Sequence, residues 1–416
     1  MGTLQRRLIT VGMVVAATLL GGCGFSSEEE GGGGGGTTLN WYVFNEPGGG
    51  FVAGIDNCNK QANGRYRINY VRLPTNADQQ RELVARRLAA EDSDIDIIGM
   101  DVNWTAEFAE AGWIKEWTGE RARRAAEGRL EGPLRTAQYQ NKTWGIPLTS
   151  NTQLLWYRKD RVKRVPETWD EMIDQAKGAG RSIEVQAARY EGYTVWINTL
   201  VNSAGGQIAD EEGNVRVDRT TERAAEIIKR VATEAAPPGM SNNQEDQGRL
   251  GFESGRSDFQ VNYPFIFASA AEVPGGFQKK IGWARYPSVE KGRPSRVTVG
   301  GINLGIGAYS NNPDLAFEAA ECLARPENQI VYSEKGGLPP TTEALYKDPR
   351  YTKGNPFADD LRASLDGGVA RPVTPAYTDI SLAIQKSFHP PEKLDPAGVV
   401  DELKDKLDKA AEGKIF

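Results

Sequence analysis

The sequence predicts an α/β fold in two domains, and three observations carry that expectation. Short apolar strands alternate with amphipathic helical stretches, which is the order of parallel βαβ units. The stretch from Thr37 to Phe416 is long enough for two domains at the usual ~100–200 residues each. Charged residues make up 25 % and hydrophobic ones 39 %, a profile that excludes both a disordered chain and a membrane-embedded one.

Leu39–Phe44 (LNWYVF) reads as a buried strand, ended by Asn45-Glu46-Pro47 and three glycines. Phe51–Gln61 suits a helix, and Tyr66–Leu73 (YRINYVRL) alternates like a second strand. Asp78–Ala90 has helical periodicity with alternating charge. Ile95–Gly99 (IDIIG) is a short, nearly continuous apolar strand of the kind covered on both faces. A second α/β region follows. Leu154–Arg158 reads as a strand, Thr168–Ala176 as a capped helix, Thr194–Asn202 as an apolar helix and Thr221–Thr233 as an amphipathic one. Phe259–Tyr263 reads as a strand ending at Pro264, and Val297–Ile306 (VTVGGINLGI) as a glycine-punctuated strand pair. Pro313–Ala324 and Val399–Ala411 complete the helices. No internal repeat of 20–50 residues is present.

The N-terminus has the layout of an export signal. Arg6 and Arg7 precede an apolar run, Val11–Leu20, too short to span a bilayer as a helix, which needs about 20 residues. Leu20-Gly21-Gly22-Cys23 resembles a bacterial lipobox, so residues 1–22 are expected to be removed and Cys23 acylated. Residues 23–36 (CGFSSEEEGGGGGG) then form a flexible tether. Loss of Arg6 and Arg7 takes the basic residues from 50 to 48 against 56 acids, leaving the mature chain near −8. No basic stripe stands out, which argues against nucleic acid and against electrostatic adhesion to anionic lipid. The single histidine, His389, lies in a Pro-flanked loop, and no nucleophile motif such as G-x-S-x-G accompanies it. With so few ligand-type residues, neither a metal site nor a cofactor is expected. In an oxidising compartment Cys58 and Cys322 read either as a disulfide or as two buried thiols.

Five stretches, in order, resemble the extracellular sugar-binding proteins of ABC importers, in the maltose/trehalose branch. Gly145–Asp160 (GIPLTSNTQLLWYRKD) is similar to that family's first crossing between lobes, and Pro166–Glu171 (PETWDE) to its helix start. Phe252–Arg256 (FESGR) resembles the element before a ligand-facing strand. Gly300-Gly301-Ile302, and Glu327-Asn328-Gln329 with Gly336–Pro339, complete the set. Trp41–Gly49 (WYVFNEPGG) and Arg371–Tyr377 (RPVTPAY) resemble the trehalose-binding lipoproteins of actinobacterial importers. The resemblance implies a type II, two-lobed periplasmic-binding-protein-like fold with hinge crossings. Its implied lobes are residues 37–148 plus 298–340 and residues 149–297 plus 341–416. It further implies a monomer on the extracytoplasmic membrane face, a disaccharide ligand such as trehalose, ABC permease partners and no catalysis.

A sugar pocket needs hydrogen-bonding groups satisfied on both sides and flat aromatic platforms. Asn45 and Glu46, after the first strand, read either as ligand contacts or as a turn Asn and a helix-start Glu. Asp101 matches the family's ligand-binding Asp, with Asn103 beside it; helix capping is the alternative for Asp101. Asn151 occupies a crossing where many members carry Asp, so it both donates and accepts. Glu253 lies near a loop, and Asn262 and Tyr263 end a strand where the family places an aromatic platform; lobe packing is the alternative for Tyr263. Trp196 faces either the cleft or the core. Gly300 and Gly301 match the glycine pair whose backbone approaches the sugar. Arg371 offers a planar fork of five donors to vicinal hydroxyls. Two other functions fit less of the sequence. A glycoside hydrolase would pair carboxylates such as Glu46 and Asp101 roughly 5–9.5 Å apart, and an adhesive lipoprotein would bind no small ligand.

Overall fold

The computed structural model describes residues 36–210 and 213–411. The expected signal, Cys23 and the tether as far as Gly35 lie outside them. Nine strands concern the site: β1 (Thr37–Phe44), β2 (Tyr66–Leu73), β3 (Ile97–Asp101), β4 (Ile146–Asn151), β5 (Leu154–Arg158), β6 (Ser182–Glu184), β7 (Ser257–Asn262), β8 (Ile281–Ala284) and β9 (Gly300–Ile306). They form a five-stranded sheet in the order β2-β1-β3-β9-β4 and a four-stranded one in the order β8-β5-β7-β6. In the first sheet β1, β2 and β3 run parallel, while β9 runs antiparallel to both β3 and β4. That reversal brings the start of β9 to the edge where β1, β3 and β4 end.

The helices used below are α1 (Gly50–Gln61), α2 (Ala77–Ala89), α3 (Thr105–Glu110), α4 (Trp169–Gly178), α5 (Glu191–Ala204), α6 (Arg219–Arg230), α7 (Glu245–Glu253), α8 (Pro313–Leu323), α9 (Pro326–Gly336), α10 (Tyr377–Phe388) and α11 (Val399–Ala411). Their starts follow local chemistry. Asn76 Oδ1 accepts from Gln79 N–H at α2, and Thr168 Oγ1 accepts from Glu171 N–H at α4. Pro313 opens α8, where its missing N–H costs nothing. Helix α5 is buried on every side from Glu191 to Ser203, as its apolar sequence requires.

Helix α5 and strand β7 begin three and two residues earlier than expected, and two further elements differ in ways that shape the site. Strand β3 begins two residues late, at Ile97; the Asp96 carboxylate accepts from Asn40 N–H and Ser310 Oγ, and its backbone carbonyl accepts from Gly307 N–H. Asp101 is its last residue. Val297–Ile306 is one strand rather than a pair: only Gly300 onward joins the sheet, while Val297 and Val299 bond the backbone of Val369 (2.8 and 2.9 Å). Gly301 sits at φ +134°, and a Cβ there would lie 2.1 Å from the Thr149 carbonyl oxygen, so β9 meets β4 this closely only with glycine.

One apolar cluster, around Trp169, Tyr193, Trp196, Phe259, Ile384 and Phe388, fills the space between the four-stranded sheet and α4, α5, α6 and α10. Another, around Trp41, Phe51, Leu148 and Tyr332, packs α1, α8 and α9 on the five-stranded sheet. Within it a disulfide joins Cys58 of α1 to Cys322 of α8, with Cα atoms 5.9 Å apart. A third cluster draws Leu130 and Val299 together with Trp156, Phe252 and Phe357, and so ties the two sheets' surroundings to each other. Three chain segments pass side by side between the sheets: Thr152 Oγ1 donates to the Thr298 carbonyl (3.2 Å), and Val369 pairs with Val297 and Val299. No helix among the described residues is long and apolar enough to cross a membrane.

Candidate functional site

The facing ends of the two sheets are polar, and Arg371 is the centre of that polarity. Only 6 % of its surface is exposed. Its Nη1 donates to Glu191 Oε1 at 2.6 Å and its Nη2 to Asp101 Oδ1 at 2.8 Å. One guanidinium thus links the end of β3 to the start of α5. Burial works against its charge, but the neighbouring Asp101 and Glu191 carboxylates outweigh that and hold it above the usual arginine range. Glu191 also accepts from Tyr377 Oη and Ser381 Oγ, both at 2.5 Å, so α10 fixes the carboxylate that fixes Arg371.

Around this triad stand further groups. Tyr263 follows β7, and its hydroxyl is pushed up first by burial and then by the charge of Glu245; Asp101, Glu191 and Arg371 also act on it. Burial likewise raises Glu245 and Tyr190. Asn103 Oδ1, Asn151 Oδ1 and Arg371 Nε are buried without a hydrogen-bond partner. Such groups normally cost about 1–3 kcal/mol each when left unmade. Asn103 and Arg371, with Pro372 and Thr136, line a cavity of about 10 Å³, enough for roughly one water. Gly300 pairs with Asn151 across β9 and β4, and the Gly301 carbonyl accepts from Val102 N–H, so both glycines lie within this edge.

Of the residues expected to hold ligand, Asp101, Asn103, Asn151, Tyr263, Gly300, Gly301 and Arg371 therefore come together. Asn45 is exposed at the end of β1 on the same sheet edge. Four others have side chains engaged elsewhere, and for Glu46 and Trp196 the second of the two readings holds. The Glu46 carboxylate accepts from Gly48, Gly50 and Phe51 N–H, which makes it the acceptor that starts α1. Glu253 accepts from Arg249 (2.7 Å) and Ser269 (2.8 Å), so its oxygens are committed to a local network. The Asn262 amide bonds backbone only, donating to the Glu245 carbonyl and accepting from Tyr263 N–H. Trp196 is a core residue, packed against Trp169 and Tyr193. Sequence reasoning missed Glu191, Tyr377 and Ser381. Glu191 had a visible signal, a single acid opening an otherwise apolar helix, and Tyr377 lies within the RPVTPAY stretch. Among the described residues no group of three or more His, Cys, Asp or Glu side chains is arranged to hold a metal.

Two α/β halves, three side-by-side crossings and polar side chains meeting at the facing strand ends define a two-lobed ligand-binding protein. The chain belongs to the bacterial extracellular solute-binding protein family, whose profile matches residues 42–330. It is 29 % identical over 371 residues to a protein of Deinococcus radiodurans described as a probable ABC transporter-binding protein, covering 81 % of this chain and 85 % of that one. It is 23 % identical over 258 residues to the diacetylchitobiose binding protein DasA of Streptomyces coelicolor, covering 59 % and 60 % of the two chains. Among solved structures, maltose-bound MalE3 of T. maritima superposes with a TM-score of 0.83 at 23 % identity, over 89 % of this chain and 99 % of that one. The GacH receptor of Streptomyces glaucescens, solved unliganded and with acarbose, gives 0.80 at 21 % identity over 91 % and 99 %. Relatives and fold alike are those of binding proteins rather than enzymes.

Proposed function

We propose that this chain is the substrate-binding lipoprotein of an ABC sugar importer, tethered through acylated Cys23 to the extracytoplasmic face of the membrane. It captures an α-linked disaccharide, trehalose, between its lobes and delivers it, as a monomer, to the permease. The lobes are residues 37–148 plus 298–340 and 149–297 plus 341–416. One observation carries the reading: the unpaired buried Asn103 Oδ1, Asn151 Oδ1 and Arg371 Nε, two acceptors and one donor, at the edge that also holds Asp101 and Tyr263. A sugar hydroxyl both donates and accepts, so it satisfies groups of either kind at once. The names of relatives and of structurally similar proteins, which mention diacetylchitobiose, maltose and acarbose, support an oligosaccharide. Glu46, one of the carboxylates named for a hydrolase, is committed to the start of α1, which favours binding over hydrolysis.

Saturating trehalose should raise the unfolding temperature and reduce the radius of gyration in small-angle scattering, with no glucose released. Release of glucose would establish an enzyme. The absence of any thermal shift across a panel of α-linked disaccharides would refute the sugar reading.

A further inference from the structure

The helix that carries Tyr377 and Ser381 does more than hold Glu191. Helix α10 packs Ile380, Ala383, Ile384 and Phe388 into the core of the four-stranded sheet. Its polar residues reach helices that belong to the five-stranded sheet. Gln385 Nε2 donates to Asp78 Oδ2 in the first turn of α2 (3.3 Å), and Thr378 Oγ1 donates to Glu107 Oε2 on α3 (3.2 Å). With the Arg371–Asp101 bond, these contacts form a seam across which every acceptor on the five-stranded side is a carboxylate.

The charges of the seam do not balance. Asp78, Asp101 and Glu107 stand on one side, and Glu191 and Asp379 on the other. Arg371 serves Asp101 and Glu191, while Arg81 pairs with Glu107. Asp78 is hydrogen-bonded by neutral groups, the Gln385 amide and the Glu191 N–H, and Arg81 acts on it through charge alone. Glu191 at the start of α5 and Tyr190 just before it act on Asp78 electrostatically, Gln385 donates to it from α10, and Arg81 lies one turn along its own helix.

We propose that Asp78 is a proton-operated element of lobe closure: closing the seam carries Asp78 against α5 and α10, and that step takes up a proton. The inference rests on the two-lobed, hinge-closing reading above. It is supported by the Asp78 carboxyl, pushed up to about 7 by burial and then by the charge of Glu191. An exposed Asp in an open form titrates near its ordinary value of about 3.9. The raised value belongs to the closed form, so lowering the pH favours closure. Below about pH 4 both forms hold the proton and above about pH 7 neither does, which confines the dependence to that interval. Asp379 is also raised by burial, despite Arg81, and contributes in the same direction.

A ligand that needs the closed form then binds with an apparent affinity set by the closed fraction. Between pH 7.5 and 5.5 that affinity should rise on the order of tenfold. The test is a pH titration from 4.5 to 8 of the full mature chain, read by small-angle scattering without sugar and by calorimetry with trehalose. Wild type should become more compact, and bind more tightly, as pH falls. Asp78→Asn should lose most of both effects. Gln385→Met, which removes the bond favouring the charged carboxylate, should move the midpoint to higher pH, a displacement that a purely structural role does not give. A radius and an affinity independent of pH in wild type, or an unchanged dependence in Asp78→Asn, would overturn the proposal. If trehalose fails to bind at any pH, the sugar reading falls and the sugar-free radius titration still decides the seam.

Discussion

Replacing Arg371 by lysine isolates what the guanidinium contributes beyond its charge. The fork reaches two carboxylates at once, at 2.6 and 2.8 Å, and leaves Nε as an unused buried donor. Lysine keeps one positive charge between Asp101 and Glu191, so neither acid is stranded. Arg371→Ala, by contrast, would leave buried charge uncompensated at about 3–5 kcal/mol and confuse stability with binding. Lysine lacks the planar fork and the Nε donor. Loss of one charge-assisted hydrogen bond to ligand, worth about 1.5–3 kcal/mol, corresponds to binding weakened about 10- to 150-fold. Calorimetric titration with trehalose measures this, and a thermal melt without sugar checks that the fold is intact. Pairing the change with Asp101→Asn in a double-mutant cycle should give non-additive losses, because the two side chains share a bond. An affinity within threefold of wild type in Arg371→Lys would refute the placement of Arg371 at the ligand.

Three further outcomes are expected. Replacing Cys58 and Cys322 together by serine opens a link between positions 264 residues apart; it should cost up to about 5 kcal/mol of unfolding free energy, read from denaturant midpoints, with trehalose affinity unchanged. Trp196→Ala should cost about 3–5 kcal/mol through the cavity it leaves, again without weakening sugar binding; a large loss of affinity in a folded variant would return Trp196 to the cleft. Cys23→Ala should move the protein from the membrane fraction to the soluble fraction or leave its signal uncleaved, and mass spectrometry finding an unmodified Cys23 in membranes would end the lipid-anchor reading.

The strands were legible because they are short, apolar and separated by amphipathic helices. Tyr66–Leu73 and Leu154–Arg158 occupy the residues their patterns predict. Errors arose where tertiary partners decide the outcome. At Asp96, just before β3, the partners are remote: Ser310 and the backbone of Asn40 bond its carboxylate, and Gly307 N–H its carbonyl. Thr298 and Val299 pair with a segment about seventy residues away, which no local pattern announces. The site followed the same rule. Asp101 was readable as a polar residue ending an apolar stretch, and Arg371 as one opening a Pro-rich stretch. Glu46 had two roles with one local signature, and only the three backbone N–H groups converging on it distinguish them. Glu191 contributes through Tyr377 and Ser381, about 190 positions along the chain, so its role is a property of packing and not of spacing.

The Asp101–Arg371–Glu191 triad is a poor device for stability alone. Desolvating three charges costs several kcal/mol per ion, and apolar side chains of similar volume often serve a core equally well or better. Its members come from the end of a strand in one sheet, the start of a helix packed on the other, and the third of three crossings. They can therefore meet only when the two sheet ends face each other. Buried ionic contacts of this kind demand correct geometry on both sides, whereas apolar contacts tolerate a range of them. On the proposed reading, that intolerance is what a binding protein needs at its cleft. A ligand shifts the open–closed equilibrium only by its differential affinity for the two forms. A triad complete in one form alone makes every hydroxyl bonded to Asp101 or Arg371 a contribution to that difference. The apolar third cluster joins both sheets' surroundings through Val299, Trp156 and Phe357, and on the same proposed reading it is the contact that closure would slide over. Selectivity and motion are thus assigned to different chemistry: charged and exact in position at the cleft, apolar and adjustable behind it.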